Sequence, residues 1–194
     1  MGGRSTCMTH SATAYIGLGA NLGDRLATLR EAVRRLGDVG IVTGVSSLYE
    51  TAPVGYAAQP AFLNAVVELQ TTLDAERLVQ ALLLIEASLG RTRSFRNAPR
   101  TLDLDLLLLG DAMVARDGAH VPHPRLKERA FVLTPLAEIA ADCVHPVLDR
   151  TIQDLYSALE STGGVERVAG PEWATPPASD AGKAAGHSGN PASD

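Results

Sequence analysis

Residues 99–110 read Pro-Arg-Thr-Leu-Asp-Leu-Asp-Leu-Leu-Leu-Leu-Gly, and no other stretch limits the fold so closely. Leu102, Leu104 and Leu106 alternate with Asp103 and Asp105, a period of two that predicts a strand with both carboxylates on one face. The run Leu106 to Leu109 then abandons the alternation. Apolar residues in succession predict a strand covered on both faces, so the aspartates are expected where an internal strand emerges. Two ionised carboxylates side by side repel, and burying either without a partner is unfavourable, so the pair suggests a divalent cation between them. Oxygen-only ligands point to Mg²⁺. Immediately upstream, Arg91, Arg93, Arg96 and Arg100 form a cluster suited to a polyanion such as a nucleoside triphosphate. The plainer alternative is a solvated strand face beside a solvated arginine loop, and the leucine run weighs against it.

A chain of 194 residues with 45% hydrophobic and 20% charged residues suits one domain with a substantial core. Its net charge of −5 and pI near 5.5 argue against a nucleic-acid surface, so the expected partner is small. Cys7 and Cys143 are the only cysteines, which excludes a disulfide framework or a cysteine zinc cluster. Met1 to His10 lacks the apolar stretch of a signal peptide, and no apolar run approaches a membrane span. The expectation is a cytoplasmic protein with no membrane partner, a monomer or weak dimer.

Residues 1–12 are small and polar and read as a disordered leader. Ala14 to Gly19 predicts a first strand. Asp24 then caps a helix whose apolar stripe is Leu26, Leu29, Val33 and Leu36, with Gly37 at its end. Gly17, Gly19 and Gly23 are spaced one residue too far for a dinucleotide fingerprint, and neither Lys127 nor Lys183 follows a P-loop pattern. Ile41 to Thr51 predicts a second strand and Phe62 to Gln70 a third, with Asn64 the polar member of the Phe62 and Val66 face. Leu73 to Gly90 predicts a helix capped by Asp74. The Asp-Leu-Asp strand follows, with a hairpin turn at Arg116-Asp117-Gly118. Strand, helix, strand, strand, helix, strand is the ferredoxin-like βαββαβ order, an α+β fold with an antiparallel sheet and helices on one face. Added to it are the C-terminal hairpin, two short helices from Arg125 to Glu138 broken near Pro135, and a helix from Thr151 to Ser161. Composition turns to Gly, Ala, Pro and Ser beyond Gly163, so the domain is expected at 13–162 and 163–194 as a largely disordered extension.

Several ordered motifs accumulate along this frame: Gly-Ala-Asn-Leu-Gly at 19–23, Tyr49-Glu50-Thr51, Gln59-Pro60-Ala61-Phe62-Leu63-Asn64, Ile85-Glu86, Gly90-Arg91-Thr92-Arg93, the Pro99 to Asp105 stretch, and Val121-Pro122-His123-Pro124 through Arg129-Ala130-Phe131. Through them the chain, from about Thr13 to about Leu159, resembles the 6-hydroxymethyl-7,8-dihydropterin pyrophosphokinase family of folate biosynthesis. The resemblance implies transfer of the β,γ-diphosphate of ATP to the pterin hydroxymethyl group, with AMP departing. It implies two Mg²⁺ ions on Asp103 and Asp105, with Arg91 and Arg100 joining those carboxylates in catalysis. ATP contacts would come from Glu86, Arg91, Arg93, Arg96, Arg100, His123 and Arg129. Pterin contacts would come from Thr51, Pro53, Val54, Phe62, Asn64, Asp103 and Phe131, with the two phenylalanines stacking on the ring. Asn97 stands where the family commonly carries a tryptophan. Two rival readings of the residues are a ferredoxin-like regulatory module that binds a small molecule and a Mg²⁺-dependent phosphohydrolase using the same carboxylates.

Overall fold

Strand β1 (Ala12–Ala20) buries Ala14, Ile16, Leu18 and Ala20 on one face, the alternation a half-covered strand requires. The computed structural model describes residues 11–53, 59–90, 100–116 and 118–175. Helix α1 (Arg25–Leu36) starts at Asp24, whose carboxylate accepts the Ala27 N–H at 3.0 Å, and buries Leu29, Ala32 and Leu36. The second expected strand is two, β2 (Ile41–Val45) and β3 (Leu48–Thr51). Both pair with β4 (Phe62–Thr71), and the break is chemical: at Ser46 the side-chain oxygen, at 2.9 Å, takes the Val66 N–H in place of a backbone carbonyl. Helix α2 (Ala75–Ser88) is capped by Asp74 and followed by Gly90 at φ +83°, a left-handed stop that favours glycine.

Strand β5 (Asp103–Leu109) completes the sheet, and β6 (Val114–Arg116) pairs with β7 (Ala119–Val121) as a separate hairpin. Then come α3 (Ala130–Ala140), the ribbon of β8 (Val144–His145) and β9 (Arg150–Thr151), α4 (Ile152–Ser157) and β10 (Val165–Ala169). The main sheet is antiparallel in the order β10-β3-β4-β1-β5, with β2 also on β4. This is the ferredoxin-like arrangement extended by one edge strand. α1 and α2 share one face, packing on Ile16, Leu18, Val67 and Leu104. The added helices α3 and α4 cover the other face, on Val66, Leu107 and Leu108.

The leucine run has a register explanation. Tyr15 pairs with Leu108 but Ile16 pairs with Leu106, so Leu107 is the extra residue of a bulge. Leu107 and Leu108 therefore both face α3, while Leu106 and Leu109 face α1 and α2. β5 is thus covered on both faces, as expected, but it is the edge of the sheet, not an internal strand. Its outer margin is occupied: Glu86 Oε1 accepts the Leu104 N–H at 2.7 Å, and Leu107 O accepts the His123 N–H at 2.9 Å.

Three boundaries move. The helical break falls at Arg129, whose backbone is extended between a 3₁₀ turn at Leu126–Glu128 and α3, and not at Pro135, which lies inside α3. Pro135 forfeits one backbone bond there, but burial of Val132, Leu133 and Leu136 holds the helix. α4 ends at Ser157, short of the expected Ser161. The domain does not stop at 162: β10 pairs with β3, and Trp173 is 3% exposed, donating its indole N–H to Ser46 O at 2.8 Å while its own carbonyl accepts Arg30 Nε at 2.6 Å. Backbone pairing and one buried aromatic outweigh the Gly- and Pro-rich composition. Residues 1–10 and 176–194 lie outside the described residues.

His145 is buried in the β8 turn, where Nδ1 accepts the Val147 and Leu148 N–H groups at 3.2 and 3.3 Å. Burial holds its pKa below the ordinary value near 6.5. The unfolded chain therefore takes up the proton first as pH falls. This contribution is intact above about pH 6.5 and declines below it. The melting temperature is expected to drop between about pH 7.5 and pH 5.5, and to drop less in His145→Asn, whose amide oxygen keeps an acceptor; equal drops in thermal melts would refute this.

Candidate active site

The face of the sheet turned toward α3 carries the chemistry at one end. In register, Gly19 sits between Asn64 of β4 and Asp103 of β5, and Gly17 lies opposite Asp105. A Cβ at Gly19 would come 3.4 Å from Asn64 Oδ1 and 3.9 Å from Asp103 Cβ. Glycine there leaves a flat floor between an amide and a carboxylate, and a cavity of about 110 Å³ opens over it. Phe62 and Phe131 line the cavity with Thr51, Arg100 and Arg129. Its mixture of two aromatic rings and convergent polar groups suits a flat heterocycle.

Asn64 is 5% exposed and oriented by Thr51, whose hydroxyl oxygen accepts its Nδ2–H at 2.8 Å. This hydrogen bond fixes which end of the amide is offered to a ligand. The Arg129 guanidinium lies 5.7 Å from the centre of the Phe131 ring, and Nη1 reaches Asp105 Oδ2 at 3.2 Å. Arg100 pairs with Asp103 at 2.7 Å. His123 Nδ1 accepts the Arg125 N–H at 3.1 Å, which turns Nε2 toward Asp105, 3.9 Å away.

Burial, then the charge of Asp103, pushes the Asp105 carboxyl above its ordinary range, against the pull of His123, Arg129 and Arg100. Burial likewise pushes His123 below its ordinary value, against the pull of Asp105. A carboxylate that is partly buried, beside another and only partly compensated is what a divalent cation would relieve. The donor set fits Mg²⁺, which one or two carboxylates commonly hold while water and phosphate oxygens complete its shell. Among the described residues no group of three or more His, Cys, Asp or Glu is placed to hold an ion.

Of the residues singled out in the sequence, Thr51, Phe62, Asn64, Arg100, Asp103, Asp105, His123, Arg129 and Phe131 converge here. Pro53 is half-buried just beyond Thr51. Glu86 is 2% exposed on α2, and its carboxylate holds the outer margin of β5 at Leu104. Val54, Arg91, Arg93 and Arg96 lie outside the described residues. Sequence reasoning missed the floor glycines Gly17 and Gly19, whose signal was a two-residue period on a strand. It also assigned no role to Asn21 and Gln59, each inside a quoted motif.

Comparison with known proteins gives a consistent result. A family model described as 7,8-dihydro-6-hydroxymethylpterin-pyrophosphokinase matches residues 15–141. A Bacillus subtilis protein named 2-amino-4-hydroxy-6-hydroxymethyldihydropteridine pyrophosphokinase is 52% identical over 128 residues, covering 65% of this chain and 77% of its own. A Methylorubrum extorquens protein of the same name is 43% identical over 157 residues, covering 80% and 98%. The Pneumocystis carinii folic acid synthesis protein fol1 is 41% identical over 146 residues, covering 75% of this chain, and this chain spans 20% of its length. Among solved structures, a Plasmodium falciparum HPPK-DHPS crystal structure aligns with a TM-score of 0.62 at 15% identity, over 78% of this chain and 46% of that one, which supports the fold.

Proposed function

Since this chain belongs to the 7,8-dihydro-6-hydroxymethylpterin-pyrophosphokinase family, we propose that it transfers the β,γ-diphosphate of ATP to the hydroxymethyl group of 6-hydroxymethyl-7,8-dihydropterin, releasing AMP. The observation that carries this reading is the paired aspartates at the rim of a cavity lined by two phenylalanines and an oriented amide. The pterin lies on the Gly19 floor between Phe62 and Phe131, with Asn64 reading its edge. Its hydroxymethyl oxygen attacks the β-phosphorus in line, one P–O bond forming as the bridge to the α-phosphate breaks. Asp103 and Asp105 would hold Mg²⁺, which would supply charge neutralisation at the phosphate oxygens. Arg100 and Arg129 exchange their carboxylate partners for phosphate oxygens as the nucleotide enters, and His123 adds a donor from the β5 margin. Arg91, Arg93 and Arg96 belong to the triphosphate side, as the family resemblance assigns them. No described helix is long and apolar enough to cross a membrane. We place the enzyme in the cytoplasm as a monomer or weak dimer.

The test is AMP release from MgATP with and without the pterin alcohol. AMP is expected in step with pterin diphosphate, and inorganic phosphate released without pterin would favour the phosphohydrolase. Asn64→Leu keeps the branched outline of the side chain, with larger methyl groups, and removes both the donor and the acceptor. It is expected to raise the pterin KM by roughly tenfold or more and to leave the ATP KM within about twofold, because a polar edge then meets no partner. Equal changes in both constants would contradict the assignment of Asn64 to the pterin.

A further inference from the structure

Directly after β1, Asn21 is 1% exposed and makes hydrogen bonds in two directions. Its Nδ2 donates to Gln59 Oε1 at 2.9 Å and to Pro60 O at 3.3 Å. Its Oδ1 accepts the Arg100 N–H at 2.8 Å, and its own backbone N–H donates to Arg100 O at 3.2 Å. One amide thus ties the chain leading into Phe62 to the chain leading into Asp103. Gln59 and Arg100 both line the cavity, from opposite sides of the Gly19 floor. A second tie runs in parallel on the β3–β4 side only, where Arg25 Nη1 donates to Ala61 O at 2.8 Å and pairs with Glu50 at 2.7 Å. Among the described residues, Asn21 is the side chain that bonds to both Gln59 and Arg100.

We propose that Asn21 is a positioning residue that sets the distance between the heterocycle half and the phosphate half of the site, and so governs the in-line approach of the two reactants. The inference rests on the diphosphate-transfer reading above. Asn21 works through Gln59, Pro60 and Arg100 from beneath the cavity wall. Its loss therefore leaves each half able to bind while their mutual placement loosens. Misplacement of reacting atoms by about an ångström can lower a rate on the order of a hundredfold without changing either binding step.

The experiment compares wild type, Asn21→Ala and Asn21→Asp, with steady-state kinetics in both substrates well below each melting temperature. Asn21→Ala removes every side-chain bond, whereas Asn21→Asp keeps an acceptor for the Arg100 N–H and loses the amide donors to Gln59 and Pro60. Both variants are expected to show kcat lowered by roughly ten- to a hundredfold, with both KM values within about threefold of wild type. If kcat falls only as far as the folded fraction measured by circular dichroism, or if the KM values rise while kcat holds, the inference is overturned. Should Asn21→Ala fail to fold, the kcat and KM values of Asn21→Asp decide alone. Wild type that releases no AMP in the presence of the pterin alcohol would instead refute the diphosphate-transfer reading, a distinguishable result.

Discussion

Asp105→Ala is expected to release AMP at less than about a thousandth of the wild-type rate while keeping a melting temperature close to wild type. The two halves of that statement have one cause. In the folded protein the Asp105 side chain is only partly buried, 35% exposed, but that burial and the neighbouring Asp103 both raise its pKa, so the fold gains little from keeping it ionised there. Its removal leaves Arg129 without this partner, but that side chain is 22% exposed and its guanidinium lies over Phe131. In the proposed reaction, by contrast, the carboxylate would be half of the aspartate pair that holds magnesium against the phosphates. Losing about 4 kcal/mol of such charge stabilisation is a thousandfold in rate. Asp103→Ala should behave alike, since its carboxylate forms the other half. AMP quantified by chromatography at saturating substrates is the measurement, and activity above a tenth of wild type in either variant would remove the metal from the mechanism.

Trp173→Ala is expected to destabilise the protein by about 3–5 kcal/mol, the range for deleting a large buried ring, and to lower the melting temperature by roughly 10 °C. The indole is 3% exposed, and it joins two elements distant in sequence: its N–H goes to Ser46 O at the β2–β3 break, and its backbone carbonyl takes Arg30 of α1. Trp173→Phe separates the contributions, because it keeps most of the buried area and loses only the hydrogen bond, for an expected loss of about 1–2 kcal/mol. Urea unfolding gives both numbers. A Trp173→Ala protein that unfolds with wild type would show that β10 and the turn after it are not part of the cooperative core.

What the sequence revealed and concealed follows from how far each signal reaches along the chain. Asp24 and Asp74 announced their helices because a cap acts within three residues. The Leu-Asp-Leu-Asp alternation placed both acids on one face for the same local reason. The bulge at Leu107 was not legible, because it exists only relative to Tyr15 and Ile16 on the neighbouring strand, so β5 was taken for an internal strand. Trp173 stands alone beyond a Gly- and Pro-rich stretch with no periodicity around it, and its burial depends on Ser46 and Arg30. Gly17 and Gly19 were legible as glycines, but their purpose depended on Asn64 and Asp103 arriving on either side. Glu86 was expected among the ATP contacts, and only the structure shows that its carboxylate bonds to the backbone of the acidic strand.

Both acids ride on the outermost ribbon of the sheet, zipped to β1 along one side and pinned along the other by Glu86 and His123. Fastened on both margins, the ribbon keeps the two acids at the spacing of its own two-residue repeat, so the distance between them is set by one strand and not by how separate elements pack.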